Sequence, residues 1–405
     1  MSRLAWKLLS LVKMGWLIVG LLLVFAVLLE LAAAVSLRLV AGGSMELPPG
    51  APRLYEDENP TGQEWRPYVY WRTQAHSGRY MNVDADGLRR TWNPAPGDAD
   101  AMRVFMFGAS TLLGFKVRDD YTVPSFVAKV LARECEVPVV VSNFGQLGYV
   151  STQDLIALLL ELQRGNVPEV AVFYNGTLDV DSSYDTQVAG LPRWEYLRRD
   201  AFQNFKQAVL VRLGHRSSLV ELGLRYVPGW NWAVMGILKP PSLDEAFRQL
   251  AEETLRIYAS NVKLAGALGK SLGFDVMAFW QPVVWSKKSP TPYERSVIAA
   301  AERKNPLRGA LFREVYAQVA EHPELQANEH FHDIRNALDG AQDPPLLDAT
   351  HTTEAGNARI AERIAAPLCA VVEQRRIRSR SALGRGAVGA PPVPGRERQA
   401  ATRGG

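Results

Sequence analysis

Cysteine is scarce: Cys135 and Cys369 are the only two in 405 residues. That excludes a disulfide-stapled scaffold and a cysteine-rich zinc module, which both need more thiols. Two readings remain for the pair: unpaired buried thiols or, in an oxidising compartment, one disulfide. A basic face is lacking as well. The formal charge of +4 is carried by the C-terminal end, where residues 375–405 hold eight Arg against one Glu and leave the rest of the chain near −3. The pI near 9.0 therefore reflects a tail, and nothing here suits a nucleic-acid partner. Long apolar runs are absent too, with one exception.

That exception is Trp16–Leu37, WLIVGLLLVFAVLLELAAAVSL, 22 residues with Glu30 as the one charge. It is long enough to cross a hydrocarbon core of roughly 30 Å. Arg3, Lys7 and Lys13 precede it, while Arg38 is followed by Glu46, Glu56, Asp57 and Glu58. The positive-inside rule then keeps residues 1–15 in the cytoplasm and sends the rest to the periplasm or cell exterior. A single-pass anchor is expected. The alternative is a signal peptide cleaved near Ala32-Ala33-Ala34, although the run exceeds the usual apolar region of about 7–15 residues. Glu30 either meets a partner within the membrane or lies near its outer boundary.

With 47% hydrophobic and 22% charged residues, the remainder is globular. Residues 38–81 read as a linker and lead-in, rich in Gly, Pro and acid over Ala41–Pro60. Trp65, Tyr68, Tyr70 and Trp71 are expected to pack the lead-in onto a main domain spanning 82–374. From Arg103 the pattern alternates. Strands are predicted at Arg103–Phe107, Val137–Ser142, Glu169–Tyr174 and Phe274–Gln281. Helices are predicted near Val123–Arg133, Thr152–Arg164, Leu243–Leu272, Tyr293–Arg303, Pro306–His322 and Thr353–Gln374. This order implies parallel strands covered by helices. Asp185–Pro241, with Trp194, Trp230 and Trp232, breaks the rhythm and reads as a helical insertion over one edge of the site. The Arg-rich end, 375–405, is expected to be disordered.

The stretch Arg103–Leu113, RVFMFGASTLL, puts Ser110 where a buried strand gives way to a turn. That is the carboxyl edge of the sheet, where open α/β folds bind ligands. A serine hydroxyl is a weak nucleophile until a base takes its proton. Asp348-Ala349-Thr350-His351 supplies one: His351 as base, and Asp348 three residues earlier to hold the imidazole tautomer. Backbone N–H groups of Ser110 and of the loop Asn143–Gly148 are the candidate oxyanion donors.

The order of these pieces resembles the SGNH (GDSL-type) hydrolase family. FGASTLLGFKVRDDYTVP resembles its first block, VSNFGQLGYVSTQ its second, VAVFYNGTLDV its third and LLDATHTTEAGNARIA its last. The resemblance covers about Asn82–Leu368. It implies a three-layer α/β/α, flavodoxin-like domain and ester or acyl chemistry without metal or other cofactor. It also implies Ser110 as nucleophile, Asp348 and His351 as its partners, and Gly148 as the oxyanion glycine. Two positions depart from the pattern. Ala109 replaces the Asp of the GDS signature, which is not the nucleophile. Gly176-Thr177-Leu178-Asp179 stands where the family has G-x-N-D, so Leu178 replaces an amide oxyanion donor. Losing one such donor costs ~10²–10³ in rate, or roughly 2.7–4 kcal/mol. Asn175 or Thr177 is left to supply it.

The implied activity is that of a membrane-anchored esterase, acyl hydrolase or acyl transferase acting outside the cytoplasm. O-acyl groups of envelope polysaccharide or lipid would be its substrates. The alternative, argued from Leu178, is a binding or assembly protein that keeps the fold and has lost turnover. Gln281, at the end of a buried strand, is a candidate substrate contact. His330-Phe331-His332-Asp333 lacks a further ligand cluster and is expected as a solvated helix start or part of the site wall. Arg89-Arg90 is expected as a surface pair, with an anionic glycan or lipid as the sharper alternative.

Overall fold

A computed structural model describes residues 3–41, 62–95, 97, 98, 100–135, 137–203, 217–226, 245–341 and 343–386. The chain opens with helix α1 (Arg3–Ala41), of which Leu11–Leu39 is apolar and long enough to cross a membrane. That stretch is longer at both ends than the predicted Trp16–Leu37. Most of the expected linker falls outside the described residues. The lead-in does not behave as a tether: β1 (Gln63–Arg66) pairs antiparallel with β2 (Tyr70–Thr73), and β3 (His76–Ser77) with β4 (Asn82–Val83). Val69 and Trp71 are buried in the main core, and Gln146 accepts from the backbone N–H of Thr73 at 2.8 Å.

The centre is a five-stranded sheet of β5 (Met102–Gly108), β6 (Val139–Asn143), β7 (Val170–Asn175), β8 (Asp275–Trp280) and β9 (Phe331–Asp333). Its order is β6-β5-β7-β8-β9 and every neighbouring pair is parallel. The period of two sorts side chains by face. Phe105, Phe107, Phe173, Ala278 and Trp280 point into one core, whereas Val104, Met106, Val172, Met277 and Phe279 point into the other. Each such large side chain contributes roughly 1.5–3 kcal/mol on burial, so a one-residue slip in register is strongly disfavoured.

Ser110–Leu113 forms the single turn α2, and α3 (Val123–Glu134) follows. Thr122 caps α3 by accepting from Ser125 N, and Pro124 sits in the first turn, where no N–H is needed. Next come α4 (Ser151–Gln163), α5 (Thr177–Thr186), α6 (Glu195–Gln203), α7 (Ser218–Tyr226) and α8 (Glu245–Leu272). The chain continues through α9 (Pro292–Lys304), α10 (Pro306–Val319) and α11 (Glu354–Gly386). Helices α3 and α11 cover one face of the sheet through Val127, Leu131, Ile360, Ile364 and Leu368. Helices α4, α8 and α10 cover the other through Leu158, Leu255, Val262, Leu311 and Val315. The result is a three-layer α/β/α domain preceded by one apolar helix.

Two expectations are corrected, and the open pairing of the cysteines is decided. Cys135 and Cys369 form a disulfide with Cα atoms 5.8 Å apart, because α3 and α11 lie side by side on one face. Between β7 and α5 only Gly176 intervenes, and α5, from Thr177 to Thr186, runs into the expected insertion at Asp185. His330–Asp333 is no helix start: residues 331–333 form the edge strand β9, with His332 stacked on Phe279 at 4.9 Å. Of the insertion, only 185–203 and 217–226 lie among the described residues. Finally, α11 continues to Gly386 instead of ending near Gln374, so the beginning of the expected disordered tail is helical; Ala, Arg and Leu are good helix formers and no Pro intervenes before Pro391.

Candidate active site

In the strand order found here, the direction of winding reverses between β5 and β7, and a ligand crevice opens beyond the carboxyl ends of those strands. Gly108 ends β5 there. A Cβ on it would lie 2.5 Å from the Tyr174 carbonyl oxygen of β7, so no side chain fits. Ala109 is extended, and Ser110 is the first residue of α2, a position whose N–H has no acceptor within its own helix.

Ser110 Oγ stands 2.9 Å from His351 Nε2. His351 Nδ1 stands 2.8 Å from Asp348 Oδ2. Asp348 Oδ1 accepts from the backbone N–H groups of Thr350 and His351 at 2.9 and 2.8 Å. Burial by itself would raise the Asp348 carboxyl. The facing His351 imidazole and these N–H donors outweigh burial and hold it well below the usual carboxylate range. The loop carrying the pair is pinned on several sides. Val284 N donates to Ala349 O at 2.9 Å, Leu347 N to His351 O at 2.7 Å, and the Tyr293 hydroxyl to Leu347 O at 2.6 Å. Arg118, beyond the Ser110 turn, grips Glu354 just after His351 with Nε 2.8 Å from Oε1. Phe115 covers the imidazole, its ring centroid 4.9 Å away.

The serine and imidazole open into a cleft of about 360 Å³. Gly148 lines it at φ +75, a left-handed conformation that glycine adopts with little strain. Leu178 also lines it, packed with Ala109 and Val150. The cleft is also lined by Trp194, which belongs to the insertion expected over one edge of the site, and by Arg193 and Arg308, which carry no signal in the local sequence pattern. Arg308 pairs with Asp181, and Arg193 with Asp185 at 3.1 Å. Burial and the neighbouring Asp181 push the Asp185 carboxyl up, against the pull of both guanidinium groups. The Arg193 guanidinium also lies over the Trp194 ring, 5.2 Å from its centroid.

Three candidate residues lie elsewhere. Asn175 is turned away from the cleft: its Nδ2 donates to the buried Asp154 at 2.6 Å, and the residue is 3% exposed. Gln281 does not line the cleft either. It is 1% exposed and accepts through Oε1 from Thr111 Oγ1 at 2.9 Å, which ties β8 to the serine turn. Arg89 is no surface residue: buried, it bonds Asp119 at 3.0 Å and the carbonyl oxygens of Leu113, Gly114 and Val117. It therefore closes the carboxyl end of the serine turn. Thr177, the other substitute donor, does line the cleft.

No family model and no curated protein matches the sequence. Among solved structures, the chain is similar to Axe2, an acetylxylan esterase from Geobacillus stearothermophilus, at 14% identity. That match covers 64% of this chain and 91% of the other, with a TM-score of 0.32. A structure of TesA is similar at 16% identity, over 66% of this chain and 99% of the other, with a TM-score of 0.34. LAE5, an alpha/beta hydrolase enzyme from the metagenome of Lake Arreo, is similar at 15% identity over 68% and 97%, with a TM-score of 0.31.

Proposed function

We propose that this chain is a serine esterase or acyl hydrolase of the SGNH type, held at a membrane by α1 with its α/β/α domain outside the cytoplasm. One observation carries the reading: the unbroken Ser110–His351–Asp348 chain of hydrogen bonds at the edge of a cleft. Ser110 Oγ attacks the carbonyl carbon of a bound ester while its proton passes to His351 Nε2. Asp348 keeps Nδ1 protonated and stabilises the imidazolium. The oxyanion takes hydrogen bonds from the N–H groups of Ser110 and Gly148. Collapse breaks the ester C–O bond, and His351 returns the proton to the leaving alkoxide. Water, or an acceptor hydroxyl in a transferase, then releases the acyl group by the same steps in reverse.

The substrate favoured by the cleft is an O-acyl group on envelope polysaccharide. Trp194, 43% exposed, offers an aromatic surface beside the guanidinium groups of Arg193 and Arg308, a combination suited to sugar rings and their hydroxyls. An acyl-bearing lipid is the other substrate of this class. The disulfide supports an oxidising compartment, in keeping with the charge bias around α1. Leu178 favours a second reading, a binding protein without turnover, because an apolar side chain lines the cleft where the family has an amide donor.

The test uses the full chain in detergent micelles, with a serine-reactive fluorophosphonate and p-nitrophenyl acetate. Labelling and hydrolysis that vanish in Ser110→Ala support the esterase. A folded native protein that neither labels nor hydrolyses supports the binder.

A further inference from the structure

Glu30 is the one charged residue inside the apolar stretch Trp16–Leu37, and its carboxylate is fully engaged. Oε2 accepts from Ser217 Oγ at 2.8 Å and from the backbone N–H of Leu219 at 3.3 Å, while Oε1 accepts from Ser218 N. Those donors are the amino end of α7, and Ser217 Oγ in turn accepts from Val220 N at 3.3 Å. Ala33 and Leu37, one and two turns beyond Glu30, are buried. Gly223 of α7 is buried as well. The other side chains of α1 in the apolar stretch are largely bare.

The geometry points to α7 as a second membrane element, a short helix inserted in the outer leaflet and clipped to the anchor by Glu30. The inference rests on the reading of α1 as an anchor. At a rise of about 1.5 Å per residue, Glu30 lies roughly 10 Å along the helix below Leu37, within the hydrocarbon if Arg38 marks the outer boundary. At that depth no water satisfies a carboxylate or the orphan N–H groups of a helix end, and either one alone is costly. Here each answers the other, and the positive end of the α7 dipole faces the negative charge. Ala33 of α1 and Gly223 of α7 are both small and buried, which suits a close approach of two helices. The occupant of the remaining surface is the bilayer. Leu219 is 43% exposed, and the apolar side chains of α1 in the stretch around Glu30 are largely bare, a surface that suits lipid.

The test places the full chain in phosphatidylethanolamine–phosphatidylglycerol vesicles. Both native cysteines are paired, so Leu219→Cys is labelled selectively with a small fluorophore; Val24→Cys, in the anchor, is labelled as control. Brominated lipids are expected to remove most of the emission at position 219, and aqueous iodide little of it. Adding Glu30→Ala is expected to reverse that order at 219 and leave it unchanged at 24. Iodide quenching at 219 with lipid quenching at 24 overturns the inserted helix while the anchor stands. Iodide quenching at both positions overturns the anchor as well. Lipid quenching at 219 that persists in Glu30→Ala overturns the clip. None of these readouts depends on esterase activity, so the failure of either idea is told apart from that of the other.

Discussion

Ser110 and His351 are 241 residues apart in sequence and 2.9 Å apart in space. They come from opposite ends of the domain, one at the end of β5 and the other on the loop before α11. The tie between Arg118 and Glu354, with Nε 2.8 Å from Oε1, holds those two segments against each other. In the proposed reaction, proton transfer across the pair also needs the right tautomer, which falls to Asp348.

Asp348→Asn keeps the shape of that side chain and loses the acceptor that holds Nδ1 protonated. The expected loss in kcat on p-nitrophenyl acetate is roughly 10⁴-fold; a variant with most of the native rate removes Asp348 from the mechanism. Stability moves with pH in a defined sense. Because the folded-state carboxyl is held down, its contribution is present above the unfolded value of about 3.9 and is lost as pH falls below it. The Tm gap between native protein and variant should therefore narrow on acidification.

Leu178→Asn restores an amide where the cleft has a leucine. If a third oxyanion donor is missing, kcat rises by up to ~10²–10³. An unchanged rate, in a variant with native fold by circular dichroism, means that another group such as Thr177 already provides it.

Arg89→Met removes a buried guanidinium and leaves Asp119 without its cation. Breaking such a pair costs about 3–5 kcal/mol, read from the midpoint of urea unfolding. Adding Asp119→Leu should recover part of that loss, since no buried charge is then left alone. Failure to recover would mean that the three carbonyl contacts of Arg89 matter more than its charge partner.

Asp154 carries the opposite sign from Asp348. Burial pushes its carboxyl well above the usual range, more than the hydrogen bond from Asn175 draws it down. Its ionisation is thus unfavourable to the fold, and stability drains away as pH rises above about 3.9 toward the folded-state value. Asp154→Asn, which can still accept from Asn175, is expected to raise Tm at neutral pH, with the gain shrinking in acid. A gain independent of pH would show that packing, not charge, is responsible.

Much of this was legible along the chain. The strands from Arg103 to Gln281 are short runs whose apolar residues face both ways, and their alternation with amphipathic helices suffices for a parallel sheet. Asp348 and His351 are three residues apart, so their contact is a property of one loop. Edge strand β9 escaped because three residues carry too little period to be told from a turn. The burial of Arg89 escaped because its partners, Asp119 and the Leu113 and Gly114 carbonyls, are distant in sequence.

By itself, then, the sequence determined the layered domain, the apolar helix before it and the local Asp348–His351 pair, because each depends on periodicity or on neighbours a few residues away. Tertiary structure decided that Ser110 meets His351, that Cys135 meets Cys369, that Asn175 faces Asp154 and that Arg308 from α10 reaches the cleft. Those outcomes depend on which helices share a face and on the order of strands in the sheet. Both are set by the packing of the whole core and by no segment alone.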